Sequence, residues 1–319
     1  MKTYRYIFEK SNRKHICPEC SKKTFVLYLD IQTGEHLPNN YGRCDREINC
    51  GYHLNPYKDG YANALFDNRK QFRPILRPKI PAKELSTIKQ EILKQSRKGY
   101  NQNNFIQWLS NLFEKDVVSN LISLYHVGTS KHWPGATVFW QIDKQGKIRT
   151  GKIMLYNTET GRRIKKGQKS LINWVHVVLK LDNYNLQQCC FGEHLLNKYP
   201  STPVGIVESE KTAIIASVYF PKLVWLAVGS LTNLNVNKCK AMAGRNVYLF
   251  PDLNALDNWR DKALELSKQM PGTLFKVSDL LQNKASEAAK LRGADLADYL
   301  IRYDRYKFVK NIQAPNMIN

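Results

Sequence analysis

The stretch that decides the fold is GIVESEKTAIIAS, from Gly205 to Ser217. Its first part is a short apolar run, which is typical of a buried strand, and its second part has the apolar spacing of a helix. Two glutamates, Glu208 and Glu210, and a lysine, Lys211, lie at the junction. Charged side chains are rarely buried without a partner. The junction is therefore the first candidate for a functional site.

The segments that follow residue 203 repeat this alternation. We predict strands in PVGIVE, LVWLAVG, NVYLFPD and TLFKVSD, and helices in KTAIIASVY, NLNVNKCKAMA, ALDNWRDKALELSKQ and GADLADYLIRY. Alternating strands and helices of this length are typical of a parallel sheet covered by helices. Residues 203–319 are therefore expected to form an α/β domain.

We expect acidic residues at three of the strand ends. Glu208 comes after VGIV, Asp252 comes after NVYLFP, and Asp295 and Asp298 lie in GADLADYL. Chemistry in open parallel sheets collects at the carboxyl ends of the strands. Acids that meet there repel one another unless a divalent cation such as Mg²⁺ or Mn²⁺ neutralises them. We expect such a cation site, and helix capping is the alternative role for each acid.

The composition of the whole chain favours a polyanionic partner. The 319 residues include 49 lysines and arginines against 27 acids, which gives a formal net charge of +22. Because this excess is spread along the chain, we expect it to bind nucleic acid, and a generic basic surface is the alternative. The sequence shows neither an apolar run of about 18 residues nor a signal core, so we expect a cytoplasmic protein.

Four of the seven cysteines lie close together near the N-terminus. Cys17 and Cys20 form CPEC, and Cys44 and Cys50 lie in GRCDREINCGYH. Thiolates at this spacing are typical of a structural zinc site, and the segment between the pairs predicts two strands around a turn. We expect a zinc ribbon over residues 1–57. Since five residues separate Cys44 from Cys50, His53 is an alternative fourth ligand, and reduced cysteines without metal are the remaining alternative.

The ribbon also carries basic and aromatic residues that suit contact with a nucleic-acid strand. Cations hold phosphates, while aromatic faces stack on bases. The tyrosines we expect to serve for stacking are Tyr28, Tyr41 and Tyr52.

The middle of the chain divides into a linker and a mixed subdomain. Residues 58–82 contain several prolines without periodicity, which predicts a linker. Apolar spacing predicts helices over residues 83–125, and alternation predicts strands over residues 126–185, with DKQG as a hairpin turn and TETGRRIKKGQKS as a basic loop. We take residues 83–202 as a helical and β-rich subdomain.

The quoted segments resemble a known family. VESEKTAIIAS, WLAVGSLTNLN and VYLFPDLNALDNWRDKA are similar in order and spacing to the Toprim domains of bacterial-type (DnaG-like) primases, phage primase-helicases and topoisomerases. The resemblance implies that Glu208 matches the invariant glutamate of the first strand. It also implies that Gly229 and Ser230 match the glycine-containing turn.

The same resemblance implies a set of metal ligands. Asp252 and Asn254 match the family's Asp-x-Asp, and Asp295 and Asp298 match a later acidic stretch. Asn254 stands where the family has its second aspartate, so the site has one carboxylate fewer. Asp257 is an alternative ligand.

The resemblance extends upstream. GATVFWQIDKQGKIRTGKIMLY, INWVH and CCFGEHLL are similar to the subdomain that precedes Toprim in bacterial primases and holds template and nucleotide phosphates. By that resemblance the candidates for phosphate binding are Arg149, Lys152, Arg162, Arg163, Lys165, Lys166 and Lys169. A solvated surface charge is the alternative for each. Lys211 is expected to face either a phosphate or a neighbouring acid.

The order of zinc ribbon, linker, basic subdomain and Toprim domain resembles that of primases, and of zinc-plus-Toprim proteins on bacterial mobile elements. We expect a primase-like protein that binds single-stranded DNA and joins ribonucleotides, with a replicative helicase as a candidate partner. Glu208 and Asp252 would be catalytic, and zinc would be structural. Glu210 is expected to turn away from the metal and to serve the helix start or a salt bridge, so that Glu210→Gln costs little.

Two alternatives of other classes stay open. One is a non-catalytic Toprim-fold factor that binds DNA in replication or mobilisation, and the substitution at Asn254 favours it. The other is a Toprim nuclease that uses the same metals.

Overall fold

The structure is a computed structural model that describes residues 4–11, 13–46, 50–64, 84–167 and 169–311. It divides the chain into two compact units, residues 1–81 and 82–319. Most of the expected linker, residues 65–82, lies outside the described residues. Within the described part of the chain, no helix is long and apolar enough to cross a membrane.

The first unit is an antiparallel sheet built around one long strand, β3. Its elements are β1 (Tyr6–Phe8), β2 (His15–Ile16), β3 (Lys23–Asp30), β4 (Gly42–Cys44), β5 (His53–Leu54) and helix α1 (Tyr61–Ala64). Strand β3 pairs with β1, β2 and β4, and β4 pairs with β5. This confirms the two strands predicted around a turn.

Two small apolar clusters flank β3. Phe25 and Leu27 pack with the cysteines, whereas Tyr28 packs with Tyr6 and Tyr41 in a separate cluster. Clusters this small stabilise a sheet only weakly, and small domains of this kind usually depend on a metal or disulfides.

The second unit begins with helices that pack on an antiparallel sheet. The helices are α2 (Gln90–Ser96), α3 (Asn104–Leu112) and α4 (Lys115–Leu124). Asn103 caps α3 by accepting hydrogen bonds from the backbone of Phe105 and Ile106, and α3 buries Trp108 and Leu109. The helix expected from Lys83 begins only at Gln90, because the chain before it pairs through Ile88 with Ile148.

The antiparallel sheet has the order β11-β8-β7-β6. Its strands are β6 (Gly128–Ser130), β7 (Ala136–Ile142), β8 (Ile148–Met154) and β11 (Ile172–Trp174). A separate two-stranded ladder is formed by β9 (Lys165–Lys166) and β10 (Lys169–Ser170). Two short helices follow, α5 (Val175–Val178) and α6 (Leu195–Lys198). The predicted hairpin joins β7 to β8, and Gly146 supplies its positive φ of 79°. The segment expected to be a loop contains the ladder of β9 and β10.

The parallel sheet has the order β13-β12-β14-β15, and every pairing in it is parallel, as predicted. Its elements are β12 (Val204–Val207), α7 (Glu210–Tyr219), β13 (Val224–Ala227), α8 (Val236–Cys239), β14 (Asn246–Leu249), α9 (Leu256–Gln269), β15 (Leu274–Val277), α10 (Leu280–Lys284), α11 (Glu287–Leu291), α12 (Leu296–Leu300) and α13 (Arg305–Asn311). The helix predicted in NLNVNKCKAMA is shorter than expected, because α8 is flanked by 3₁₀ turns.

The two sheets of the second unit share one core. Phe191 pairs through its backbone with Ala227 on β13, and the Tyr125 hydroxyl donates to the carbonyl of Trp225 at 3.3 Å. Trp225 and Trp259 are fully buried in this core. The parallel sheet is therefore held rigidly beside the antiparallel one, and the loops at its carboxyl edge have a fixed support.

Candidate active site and zinc centre

The four cysteines of the first unit converge. Cys17 Sγ lies 3.7 Å from Cys50 Sγ, Cys20 Sγ lies 3.9 Å from Cys44 Sγ, and all four sulfurs lie within 4.8 Å of one another. Four thiolates at about 2.3 Å from one zinc ion stand roughly 3.8 Å apart in a tetrahedron. These residues therefore fit a structural zinc ion.

The local backbone explains how the cysteines are presented. Ser21, at φ 55°, and Gly51, at φ 66°, turn the chain after Cys20 and Cys50. A backbone hydrogen bond from Lys22 lowers the pKa of Cys20 to about 6, and a hydrogen bond with Thr24 lowers the pKa of Cys44. A backbone hydrogen bond from Tyr52 acts in the same direction on Cys50, but burial and the other three thiols outweigh it and raise the pKa of Cys50 to about 12. Cys20 and Cys44 therefore favour the thiolate form that binds metal.

His53 is not part of this cluster, so the expectation of His53 as an alternative ligand is corrected. Its Nε2 lies 3.1 Å from the hydroxyl of Tyr28, and the two rings stack. The expectation that Tyr28 and Tyr41 stack on bases is also wrong, because both side chains are buried in the ribbon core. Tyr52 is half-buried against Phe25.

Glu208 and Asp252 follow neighbouring strands. Glu208 comes directly after β12, and Asp252 lies three residues beyond the end of β14, which pairs with β12. The backbone of Gly229, beyond β13, donates to the Glu208 carbonyl at 2.8 Å. The carboxyl ends of three adjacent strands thus meet at this edge of the sheet. Asp295 and Asp298 join it from the start of α12, which packs against α7, so the expectation that they stand at a strand end is wrong. We refer to Glu208, Asp252, Asp295 and Asp298 as the acidic cluster.

The electrostatic state of Asp252 reflects this crowding. Burial raises its pKa to about 7, and the charges of Asp295, Glu208 and Asp298 act in the same direction, while Lys211 opposes them. A carboxyl group whose pKa is raised by burial and by like charges is typical of a functional site. A cation bound beside Asp252 would reduce the repulsion between these carboxylates.

Asp295 also serves as a helix cap. Its Oδ1 accepts from the backbone N–H of Asp298 at 2.8 Å, and its Oδ2 accepts from the hydroxyl of Thr212 at 2.8 Å. The capping alternative therefore holds for Asp295, although its charge still acts on Asp252. Ser209 caps α7 by accepting from the backbone of Thr212, so a chain of hydrogen bonds links the starts of α7 and α12.

Lys211 is the internal counter-ion of the acidic cluster. Its Nζ lies 3.1 Å from Asp298 Oδ1 and 3.7 Å from Asp295 Oδ2, and it stands 5.8 Å from the centroid of the Trp108 ring. Of the two roles expected for Lys211, the structure shows the contact with neighbouring acids.

Asn254 and Asp257, the two further candidates for metal ligation, differ in their surroundings. Asn254 adopts a positive φ of 70°, and its Nδ2 donates to the carbonyl of Lys290 at 2.9 Å. Asp257 is exposed and pairs with Arg260 at 3.2 Å on the surface of α9. Its place as a substitute ligand is therefore corrected. Asn254 shapes the turn after Asp252 through its backbone conformation.

Glu210 turns away from the acidic cluster, but it does so into the core. It is 2% exposed, and its carboxylate accepts two hydrogen bonds from Lys152 Nζ, at 3.1 and 3.0 Å. The expectation that Lys152 binds phosphate is therefore corrected, because the side chain is buried and paired. Arg149 is likewise held by Asp143 at 2.7 Å and is half-buried.

The remaining basic candidates are exposed together. They lie on or beside the ladder of β9 and β10, which we call the basic ladder, and they are Arg162, Arg163, Lys165, Lys166 and Lys169. Cations in such a short, exposed ladder are accessible to a phosphate backbone. The predicted phosphate-binding residues thus fall into two groups. The cations of the basic ladder are exposed, whereas Lys152 and Arg149 form ion pairs within the fold.

Sequence reasoning missed Lys238. Its Nζ is buried and donates to the carbonyl of Val228 at 2.9 Å, directly before the turn at Gly229. Burial lowers the pKa of Lys238, whereas Glu210 acts to raise it. No pattern in the sequence distinguishes this lysine from the many surface lysines, because only the tertiary packing of α8 buries it.

Two family models match parts of the chain. Residues 4–64 match a family described as a zinc beta-ribbon finger, which agrees with the cysteine cluster and confirms the predicted ribbon. Residues 103–253 match a family described as a domain of unknown function (DUF6371). A comparison with curated proteins finds no match.

Solved primase structures are similar to the chain. The Escherichia coli primase catalytic core is 11% identical with a TM-score of 0.41, over 66% of this chain and 81% of that one. The zinc-binding and RNA polymerase domains of Aquifex aeolicus primase are 13% identical with a TM-score of 0.38, over 95% and 85%. A DnaG primase catalytic domain bound to ssDNA is 12% identical with a TM-score of 0.38, over 65% and 80%. Similarity at this level assigns no activity.

Proposed function

We propose that the protein is a primase-like enzyme. It binds single-stranded DNA and joins ribonucleotides on it in a divalent-metal-dependent nucleotidyl transfer, during replication of a bacterial chromosome or a mobile element. The observation that carries the proposal is the acidic cluster at the carboxyl edge of the parallel sheet. Its most crowded member, Asp252, has a pKa of about 7 because of burial and three like charges.

The donor set of the cluster suits Mg²⁺ or Mn²⁺. Glu208 and Asp252 offer hard carboxylate oxygens from neighbouring strand ends, and these cations take a few such oxygens while keeping water or phosphate as other ligands. When bound, the ions activate an attacking hydroxyl and stabilise a leaving pyrophosphate.

The protein groups around the ions have separate roles. Glu208 and Asp252 bind and orient the cations, and Asp298 supplies further negative charge from a half-exposed position. Lys211 balances part of that charge, since it lies 3.1 Å from Asp298 Oδ1. Asp295, with both carboxylate oxygens hydrogen-bonded, links the starts of α12 and α7 beside the cluster.

Binding to nucleic acid rests on charge. The net charge of +22 and the exposed basic ladder offer cations that a phosphate backbone neutralises. The basic ladder lies in the same compact unit as the acidic cluster. We propose that it holds the template or the incoming phosphates, and that the zinc ribbon contributes to template contact.

One observation favours a second candidate, a DNA-binding replication or mobilisation factor without catalysis. The side-chain amide of Asn254 donates to the carbonyl of Lys290 at 2.9 Å, and it brings no negative charge to the site. With one carboxylate fewer, the site holds metal more weakly than an all-acid site. This candidate predicts DNA binding without synthesis.

The test is primer synthesis. The full chain is incubated with a single-stranded template, labelled ribonucleotides and Mn²⁺, and short oligomers are sought by gel electrophoresis. Glu208→Gln is expected to abolish them, while Asp257→Asn, at an exposed acid outside the cluster, leaves them unchanged. Template binding without oligomers would support the non-catalytic factor, and shortening of a labelled DNA strand under the same conditions would support a nuclease.

A further inference from the structure

A second group of metal-binding side chains lies in the first unit, apart from the four cysteines. His15 Nε2 lies 3.0 Å from Glu9 Oε2, and His36 Nε2 lies 3.1 Å from the same oxygen. The two imidazole rings stand edge to face, with centroids 5.5 Å apart. Within the described residues, this group and the four cysteines are the two sets of three or more potential ligands whose atoms all lie within 4.8 Å.

The fold brings these three residues together along β3. His15 pairs with Phe25, the backbone N–H of Glu9 donates to the Leu27 carbonyl at 2.9 Å, and His36 bridges to Leu29. The three anchors are alternate residues of one strand, so β3 fixes the spacing of the three side chains. The convergence is built into the sheet and does not depend on a flexible surface loop.

The carboxylate is held in place from its other side. The Ser11 hydroxyl lies 2.6 Å from Glu9 Oε1, and this contact, with that of His15, lowers the pKa of Glu9 to about 2. Glu9 is therefore ionised, with Oε1 oriented by Ser11 and Oε2 facing the two imidazoles. A hydrogen bond to the second oxygen of a ligating carboxylate is the usual outer support of a metal site.

We propose that Glu9, His15 and His36 bind a second divalent transition-metal cation of the zinc class. Zn²⁺ binds imidazole nitrogen and carboxylate oxygen at roughly 2.0–2.2 Å, so two ligands of one tetrahedral ion stand roughly 3.4 Å apart. The observed separations of 3.0 and 3.1 Å are shorter by a few tenths of an ångström, so small shifts of the side chains would admit the ion.

Three protein ligands leave a coordination position open. The His36 side chain is 34% exposed, so that position faces solvent and can take water or an anionic oxygen. Sites with three protein ligands exchange their remaining ligand, in contrast to closed four-cysteine sites. The second metal should therefore bind more weakly than the zinc held by the cysteines.

The test is a titration of the full chain, loaded with one chelator-resistant zinc, using ZnCl₂ alone in a calorimeter at pH 7.5. We expect one further equivalent, and at least a tenfold loss of its affinity in both Glu9→Gln and His36→Gln. Both variants should keep the chelator-resistant zinc and the thermal midpoint of the parent, which shows that the ribbon is intact.

His132→Gln is the matched control, because His132 is exposed and lies in the other compact unit. It should leave the second equivalent unchanged. Absence of a second equivalent in the parent protein would overturn the proposal. So would a second equivalent that survives both Glu9→Gln and His36→Gln, because the hydrogen bonds of His15 and His36 to Glu9 would then be the whole role of the group.

Discussion

Lys152 and Glu210 form a buried ion pair that joins the antiparallel sheet to the first turn of α7. Lys152 Nζ donates to both carboxylate oxygens, at 3.1 and 3.0 Å, and the Glu210 side chain is 2% exposed. The two glutamates at the junction therefore have opposite surroundings. Glu208 stands at the edge of the sheet, whereas Glu210 stabilises the packing behind it.

The sequence expectation that Glu210→Gln costs little is reversed by this geometry. Removing one partner of a buried pair leaves the other charge uncompensated, which typically costs about 3–5 kcal/mol. We expect Glu210→Gln to lower the free energy of unfolding by that order in urea denaturation. Glu265→Gln is the matched control, since its pair with Lys262 is on the surface, where solvent screens the two charges. Equal losses in the two variants would contradict the account.

The raised pKa of Asp252 predicts a pH-dependent stability. Its ordinary value is 3.8 and its value in the fold is about 7, so the folded state binds the proton more tightly than the unfolded chain. The contribution of this group to stability therefore falls as the pH rises from about 4 to 7. Asp252→Asn cannot ionise and should be more stable than the parent at pH 8, with the difference shrinking towards pH 4.

Thermal unfolding in chelator at several pH values measures this difference. Asp257→Asn removes an exposed acid and should show no such trend. A stability difference between Asp252→Asn and the parent that stays constant from pH 4 to 8 would mean that the crowding of charges does not determine the state of Asp252.

The zinc ribbon predicts one chelator-resistant zinc per chain. Cys17→Ser and Cys44→Ser should lose it and destabilise the first unit, because each removes one of four ligands around a small core. His53→Gln should retain it, since His53 contacts Tyr28 and not the cysteines. Elemental analysis after treatment with a weak chelator gives the stoichiometry. Full zinc content in Cys44→Ser would exclude the four-cysteine site.

The basic ladder predicts salt-sensitive DNA binding. Each phosphate contact with a single strand contributes about −0.7 to the slope of log affinity against log salt. Replacing Arg162, Arg163 and Lys165 by Gln should weaken binding and flatten the slope by up to about 2, because three cations are lost. Lys268→Gln is the control, because Lys268 is an exposed cation of α9, outside the basic ladder. Fluorescence anisotropy at several salt concentrations measures the slope, and an unchanged slope would place the contacts elsewhere.

The sequence predicted the fold best where local patterns and tertiary structure agree. The strands of the parallel sheet were found because they are short apolar runs followed by helical spacing, and all four form as expected. The four cysteines were found because their spacing is typical of zinc ribbons. The helix at NLNVNKCKAMA was predicted too long, because Asn235 caps the short helix α8 and 3₁₀ turns stand on both sides of it.

The sequence predicted which charged residues the candidate site contains, but it did not predict which of them form ion pairs with each other. Both Lys152 and Lys165 read as basic residues in a β-rich region, yet one is buried against Glu210 and the other is exposed. Pairing across 58 residues of sequence leaves no local pattern. The cluster of Glu9, His15 and His36 was invisible for the same reason, because only the register of β3 brings its members together.

The proposed chemistry depends on Glu208 and Asp252 holding a divalent cation at the edge of the parallel sheet. The most direct test is Mn²⁺ binding by the zinc-loaded full chain at pH 8, followed by electron paramagnetic resonance, in the parent, Glu208→Gln and Asp257→Asn. We expect a Mn²⁺ site whose affinity falls at least tenfold in Glu208→Gln, while the thermal midpoint and DNA binding are kept. In Asp257→Asn the affinity should be unchanged. Unchanged Mn²⁺ affinity in Glu208→Gln, together with a raised thermal midpoint, would show that Glu208 is a repelling charge and not a ligand.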